Sequence, residues 1–230
     1  MVERVEGGGL FLNGGVDGCL ILSDISGASS ARALAGELNR SGFTVSAPAL
    51  YARRETLAGA APSNWRIWLD RAREAYSRLD RAQSSVAVIG IGAGGALSLI
   101  LAAEYPVSAV VAVSPVLRAR GALGDGLFLR GLKQPTGEAC RAWDLFSLMR
   151  LARRSLFAVV APVLIVRKET GEIHPAGAHL AFTGISSRQK QLMRFSQARP
   201  GLPAAAYPEQ AWDAIKNHLR LASAANALVN

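Results

Sequence analysis

The residues of this chain that carry the most chemical meaning are the glycines of one run, Gly90, Gly92, Gly94 and Gly95, which follow the apolar stretch Val86-Ala-Val-Ile. A strand that turns sharply into a helix through such small residues serves two chemistries. In the first, Gly90, Gly92 and Gly95 stand in GxGxxG register, the fingerprint of a nicotinamide or flavin dinucleotide site. That site needs an acidic residue about 20 positions further on to hold the ribose hydroxyls, but the next apolar segment, 109–113, ends on Ser114. At least two strands and two helices also precede the run, whereas a dinucleotide-binding half begins with it. In the second reading residues 90–94 align with the nucleophile elbow GxSxG, whose bend is too tight for side chains beside the serine. Every small position is present, and the nucleophile position holds Gly92.

Other groups able to do chemistry are few. Ser26 and Ser114 each have a hydroxyl that could attack, and each has a plainer role, as a helix-entry or turn residue and as a turn before Pro115. His174 is the one imidazole expected near the ends of the strands, and without a matched nucleophile it reads as a loop histidine. His218 is expected on the surface of the last helix. Cys19 opens a buried strand, and Cys140 has no basic neighbour to activate it. Two cysteines and three histidines without HxxxH spacing give neither a disulfide framework nor a metal site. No cofactor is expected.

Around these residues the chain alternates strand-like and helix-like segments. Half of the 230 residues are hydrophobic and 19% are charged, which excludes a disordered chain. Short apolar runs at 19–23, 43–47, 86–89 and 109–113 read as strands, and their near-continuous hydrophobicity fits a parallel sheet covered on both faces. Helices are expected at 29–40, 64–79 (capped by Ser63 or Asn64), 96–105 and 209–222, with further strands at 159–166 and 191–195. This is the α/β alternation. No apolar run approaches the ~20 residues of a membrane span, and the N-terminus lacks a basic, then apolar, leader, so the expected location is the cytoplasm. The net charge of +9 comes almost wholly from arginine, but it is scattered and no recognition motif accompanies it, so no nucleic-acid partner is expected.

With these segments in place the chain resembles the α/β-hydrolase family, and within it small bacterial carboxylesterases and monoacylglycerol lipases. Residues 11–48 are similar to the family's opening hairpin, first long strand, oxyanion loop and helix. Residues 64–79 resemble the helix before the elbow, 161–166 the strand before the triad acid, and 207–219 the closing helix. The resemblance implies one α/β-hydrolase domain over 1–230, a mostly parallel central sheet flanked by helices, and a small helical cap inserted at 117–154 over an acyl pocket.

Carried over residue by residue, the resemblance also shows what this chain lacks. Gly92 stands for the serine. Ser23, Asp24 and Ile25 stand where the family has a His-Gly pair, and a carboxylate there would repel developing oxyanion charge. Thr170 marks the place of the triad acid, with Glu169 and Glu172 beside it, and Pro200 the place of the histidine. Nucleophile, base and oxyanion sequence differ together, which implies a pseudoenzyme. Ser23, Asp24, Ile25, Gly92, Ala93, Ser114 and His174 should line the old acyl site, now less polar and suited to a small apolar or amphiphilic ligand or to a protein partner. Three readings stay open: this one, a carboxylesterase using Ser26 or Ser114 with His174, and a dinucleotide-binding protein. The expected cap carries eight basic residues against three acidic ones, which reads as a positive lid or a solvated helical face.

Overall fold

The computed structural model describes residues 2–3, 9–23, 28–50, 64–118, 137–168, 176–195 and 209–227. Among them, eight strands form one sheet in the order β1-β2-β4-β3-β5-β6-β7-β8. These are β1 Val2–Glu3, β2 Leu10–Leu12, β3 Asp17–Ser23, β4 Thr44–Ala47, β5 Ser85–Ile91, β6 Val110–Val113, β7 Val163–Lys168 and β8 Lys190–Phe195. The first two pair antiparallel, β2 also runs against β4, and every other pairing is parallel. The helices are α1 Ala28–Arg40, α2 Trp65–Asp80, α3 Ala93–Glu104, α4 Gly137–Ser155, α5 Ala176–Gly184 and α6 Glu209–Ala227.

The period of two along a strand explains why the central segments are apolar without a break. In β3, Leu20 and Leu22 face a core built with α2, α3, α4 and α5, while Cys19 and Ile21 face a second core built with α1 and α6. Both faces are covered, so apolar side chains line both. Helix α3 is enclosed by this arrangement. All its residues from Ala93 to Ala102 are buried, and each fully buried leucine or isoleucine there contributes roughly 1.5–3 kcal/mol. Helix α2 starts where Asn64 accepts a hydrogen bond from the Arg66 N–H at 2.9 Å, and its stripe from Trp68 to Leu79 is buried. Arg73 ties α2 to α3 through a two-pronged pairing with Glu104 at 2.7 and 2.8 Å.

Several sequence expectations are corrected. The helix expected from residue 96 begins at Ala93, because the glycines at 94 and 95 form its first turn. The strand expected from 159 begins at Val163: Pro162 has no N–H to pair, and its carbonyl accepts from Val110 N–H at 2.8 Å. Residues 176–184, which carried no helix expectation, form α5. His218 is half-buried rather than on the surface. Of the stretch read as a cap, Leu117 is fully buried, residues 119–136 lie outside the described residues, and α4 seats Leu148 and Ala152 in the α3 core.

Candidate functional site

The sheet register assembles the candidate site. Ser23 pairs with Ile91, Ile91 with Val113, and Val113 with Val166, so β3, β5 and β6 end in line and β7 runs two residues further. Ser23, Gly92, Ala93 and Ser114 therefore meet at one edge of the sheet. Asp24, Ile25, Ser26, Thr170, His174 and Pro200 lie outside the described residues.

Gly92 makes the bend from β5 into α3 in one residue, with φ 62° and ψ −119°. That conformation is natural to glycine and strained for any other residue. Its backbone is fully used: the N–H donates to the Val113 carbonyl at 3.0 Å, and the carbonyl accepts from Gly95 N–H at 3.0 Å and Val116 N–H at 3.1 Å. The flanking glycines are required by packing. A Cβ on Gly90 would lie 2.2 Å from the Gly94 carbonyl oxygen, and one on Gly94 would lie 2.0 Å from the Leu22 carbonyl oxygen. A Cβ on Gly95 would press on Pro115. The small residues at 90, 94 and 95 are thus accounted for by close packing of the chain on itself.

Ser114 is the one described non-glycine residue with positive φ, at 44°. Such a residue costs on the order of 1 kcal/mol or more and persists only when its surroundings over-determine it. Here its N–H donates to the Val166 carbonyl at 2.7 Å, while Pro115 is wedged between the backbones of Gly95 and Gly177. The turn before Pro115 was expected from the sequence, but its positive φ and the role of Gly177 were not. The only sequence signal was a glycine in an alanine-rich stretch.

Among the described side chains, the imidazoles and the Cys19 thiol do not complete a site. His179 is exposed on α5. His218 sits at the opposite edge of the sheet, where its ring faces the main chain of Val110 and Pro162; burial lowers its pKa, and its Nε2 is buried without a hydrogen bond. Cys19 is fully buried, and burial, assisted by the charge of Asp17, pushes its thiol up and away from thiolate. The described residues contain no cluster of histidine, cysteine, aspartate and glutamate able to hold a metal.

No protein-family model matches the sequence. A thermostable monoacylglycerol lipase of Bacillus sp. strain H-257 is 28% identical over 208 residues, covering 80% of this chain and 82% of that protein. Among solved structures, one reported for the metagenome-derived lipolytic enzymes LipS and LipT superposes with a TM-score of 0.75 at 20% identity, covering 95% and 99% of the two chains. The Paleococcus ferrophilus monoacylglycerol lipase gives 0.72 at 15% identity, covering 93% and 98%. The chain thus has the α/β-hydrolase fold and resembles the carboxylesterases and lipases built on it. A haloalkane dehalogenase variant from Bradyrhizobium elkanii also superposes, at 0.64 and 13% identity, so the fold by itself does not fix the reaction.

Proposed function

We propose that this α/β-hydrolase-fold chain is a non-catalytic relative of the carboxylesterases and monoacylglycerol lipases, and that it binds a small apolar or amphiphilic molecule where they bind an acyl group. One observation carries the reading: the elbow keeps its bend at Gly92, with φ 62° and ψ −119°, and offers no atom that can attack a carbonyl. The sequence supports it, because no histidine occurs between His179 and His218, where the family places the base. Loss of triad residues leaves only about 10³ to 10⁴-fold acceleration over water in a serine hydrolase. The same substitutions remove hydroxyl and imidazole groups that would need buried partners, which favours an apolar guest. In this reading residues 1–230 form one domain, 117–154 cover the pocket, and the chain works in the cytoplasm. No described helix is long and apolar enough to cross a membrane.

A second reading rests on Ser114. A strained serine at the edge where this architecture reacts is the kind of residue that an unconventional serine hydrolase would use, with His174 as base. Two measurements on the purified protein separate the readings. The first predicts p-nitrophenyl ester turnover at background, no fluorophosphonate adduct, and saturable uptake of a fluorescent fatty acid. Covalent labelling that is abolished by Ser114→Ala or Ser26→Ala would establish the second and end the first.

A further inference from the structure

Strand β7 is apolar from Val163 to Val166 and then, at the edge of the sheet where Gly92 and Ser114 meet, changes to Arg167 and Lys168. The register sets Arg167 beside Arg194 of β8. Val163 and Ile165 belong to the core under α2, α3, α4 and α5, and Leu192 packs against it. The period of two along a strand therefore puts both arginines on that face, one strand spacing of about 4.8 Å apart. Ala93, which opens α3 at the elbow, belongs to the same core. Main chain ties the pair to the candidate site: the Ser114 N–H donates to the carbonyl of Val166, the residue before Arg167, at 2.7 Å.

Two properties set this pair apart from the other arginines. Among the described residues it is the one pair of like charges in register on neighbouring strands, an arrangement that destabilises a sheet. Arg167 is also partly buried, and its Nε is the one described arginine nitrogen that is out of reach of water and without a hydrogen bond. No described carboxylate lies within ion-pair distance of either guanidinium. A buried donor of a charged group left unsatisfied costs more than an ordinary hydrogen bond returns. Arg167 is thus a cation short of water and of counter-charge, held against a second cation.

We propose that Arg167 and Arg194 receive the oxyanion head of an amphiphile whose apolar tail lies toward Gly92. This rests on the reading that the site binds a small amphiphile, and it narrows that class to anionic members. Ligands of parallel α/β sheets sit beyond the carboxyl ends of the strands, which is where both arginines stand. Gly92 lies two strands away, about 10 Å at the usual spacing, a distance that a medium-length alkyl chain spans. A carboxylate or phosphate head offers the paired oxygens that a guanidinium fork takes. The head of an alcohol or an intact ester carries no charge and would leave both cations without a counter-ion.

Calorimetric titration of the purified chain with octanoate, monooctyl phosphate and octan-1-ol tests this. The wild type is expected to bind at least one of the two anions roughly ten-fold or more tightly than the alcohol, and the tighter anion identifies the head. Arg167→Gln removes that preference. Arg194→Gln, a change at an exposed position that the fold does not depend on, reduces it, and Arg167→Lys keeps the charge without the fork and retains part of it. Arg188→Gln, at the other end of β8, leaves it unchanged. Octanoate also raises the melting temperature of the wild type and not of Arg167→Gln, and circular dichroism checks that each variant is folded. An alcohol bound as tightly as the anions, or an Arg167→Gln chain that keeps the preference, overturns this proposal and leaves the reading of an apolar guest in place. An equal loss in Arg188→Gln overturns it by reducing the effect to net charge. Absence of binding by all three compounds overturns it together with the reading on which it rests.

Discussion

Where β5 ends, backbone presses on backbone: the Gly94 position touches the Leu22 carbonyl, the Gly90 position touches Gly94, and Pro115 sits between two glycines. Where β7 and β8 begin, clefts open, and Val160 and Leu221 project into solvent near Arg188. The same strands join the two ends. The first is constrained by packing to the point that residue choice is fixed by sterics, and its bend is made by Gly92. The second is packed beneath its surface, at Val163 and Leu219, and leaves Val160 and Leu221 in solvent above. A backbone that superposes on lipases is evidence for shape and leaves the chemistry to be tested.

Substitutions graded by expected effect put that contrast at risk. Gly94→Ala places a methyl group against a carbonyl that cannot move without the sheet, and unfolding in urea should show a loss of about 3–5 kcal/mol. A loss below 1 kcal/mol would mean the elbow is looser than its geometry. Gly92→Ser should cost about 1–3 kcal/mol for the backbone conformation alone, and ester turnover should stay at background because no base is matched to it. Measurable turnover in that variant would show that the rest of the machinery survives. His218 gives the end where β6 and β7 begin a pH signature. Its folded-state pKa is lowered by burial, so the stability it contributes is complete above the ordinary histidine value near 6.5 and is lost as pH falls through the lowered value. Melting curves of the wild type and of His218→Gln should diverge below that pH, and parallel curves would refute it. Smallest of all, Arg188→Glu and Leu221→Ser should each change stability by less than about 0.5 kcal/mol. A larger loss at either would mean this end is held by internal contacts at its surface.

The strands were legible in the sequence because a sheet covered on both faces leaves an unbroken apolar run, as at 86–89 and 109–113. Helix α2 was legible because Trp68, Leu69, Ala72, Tyr76 and Leu79 repeat at helical spacing behind the Asn64 cap. The elbow was legible too, down to the position of Gly92. Helix α5 was not, since Ala176-Gly-Ala is a poor helix signal and its formation depends on Gly177 fitting against Pro115. His218 was misplaced for a related reason: whether a polar residue on an amphipathic helix faces solvent depends on which strand ends lie beneath it, and sequence spacing does not contain that information.

Cys19 turns its concealment into a measurement. A thiol with no exposure, held in its protonated form between Asp17 and the α1 side of the sheet, reacts with an alkylating reagent only when the centre of the molecule comes apart. With Cys140 replaced by serine, the rate at which iodoacetamide adds to this one sulfur becomes a clock for global opening, readable by mass in the presence of fatty acids without any attached dye.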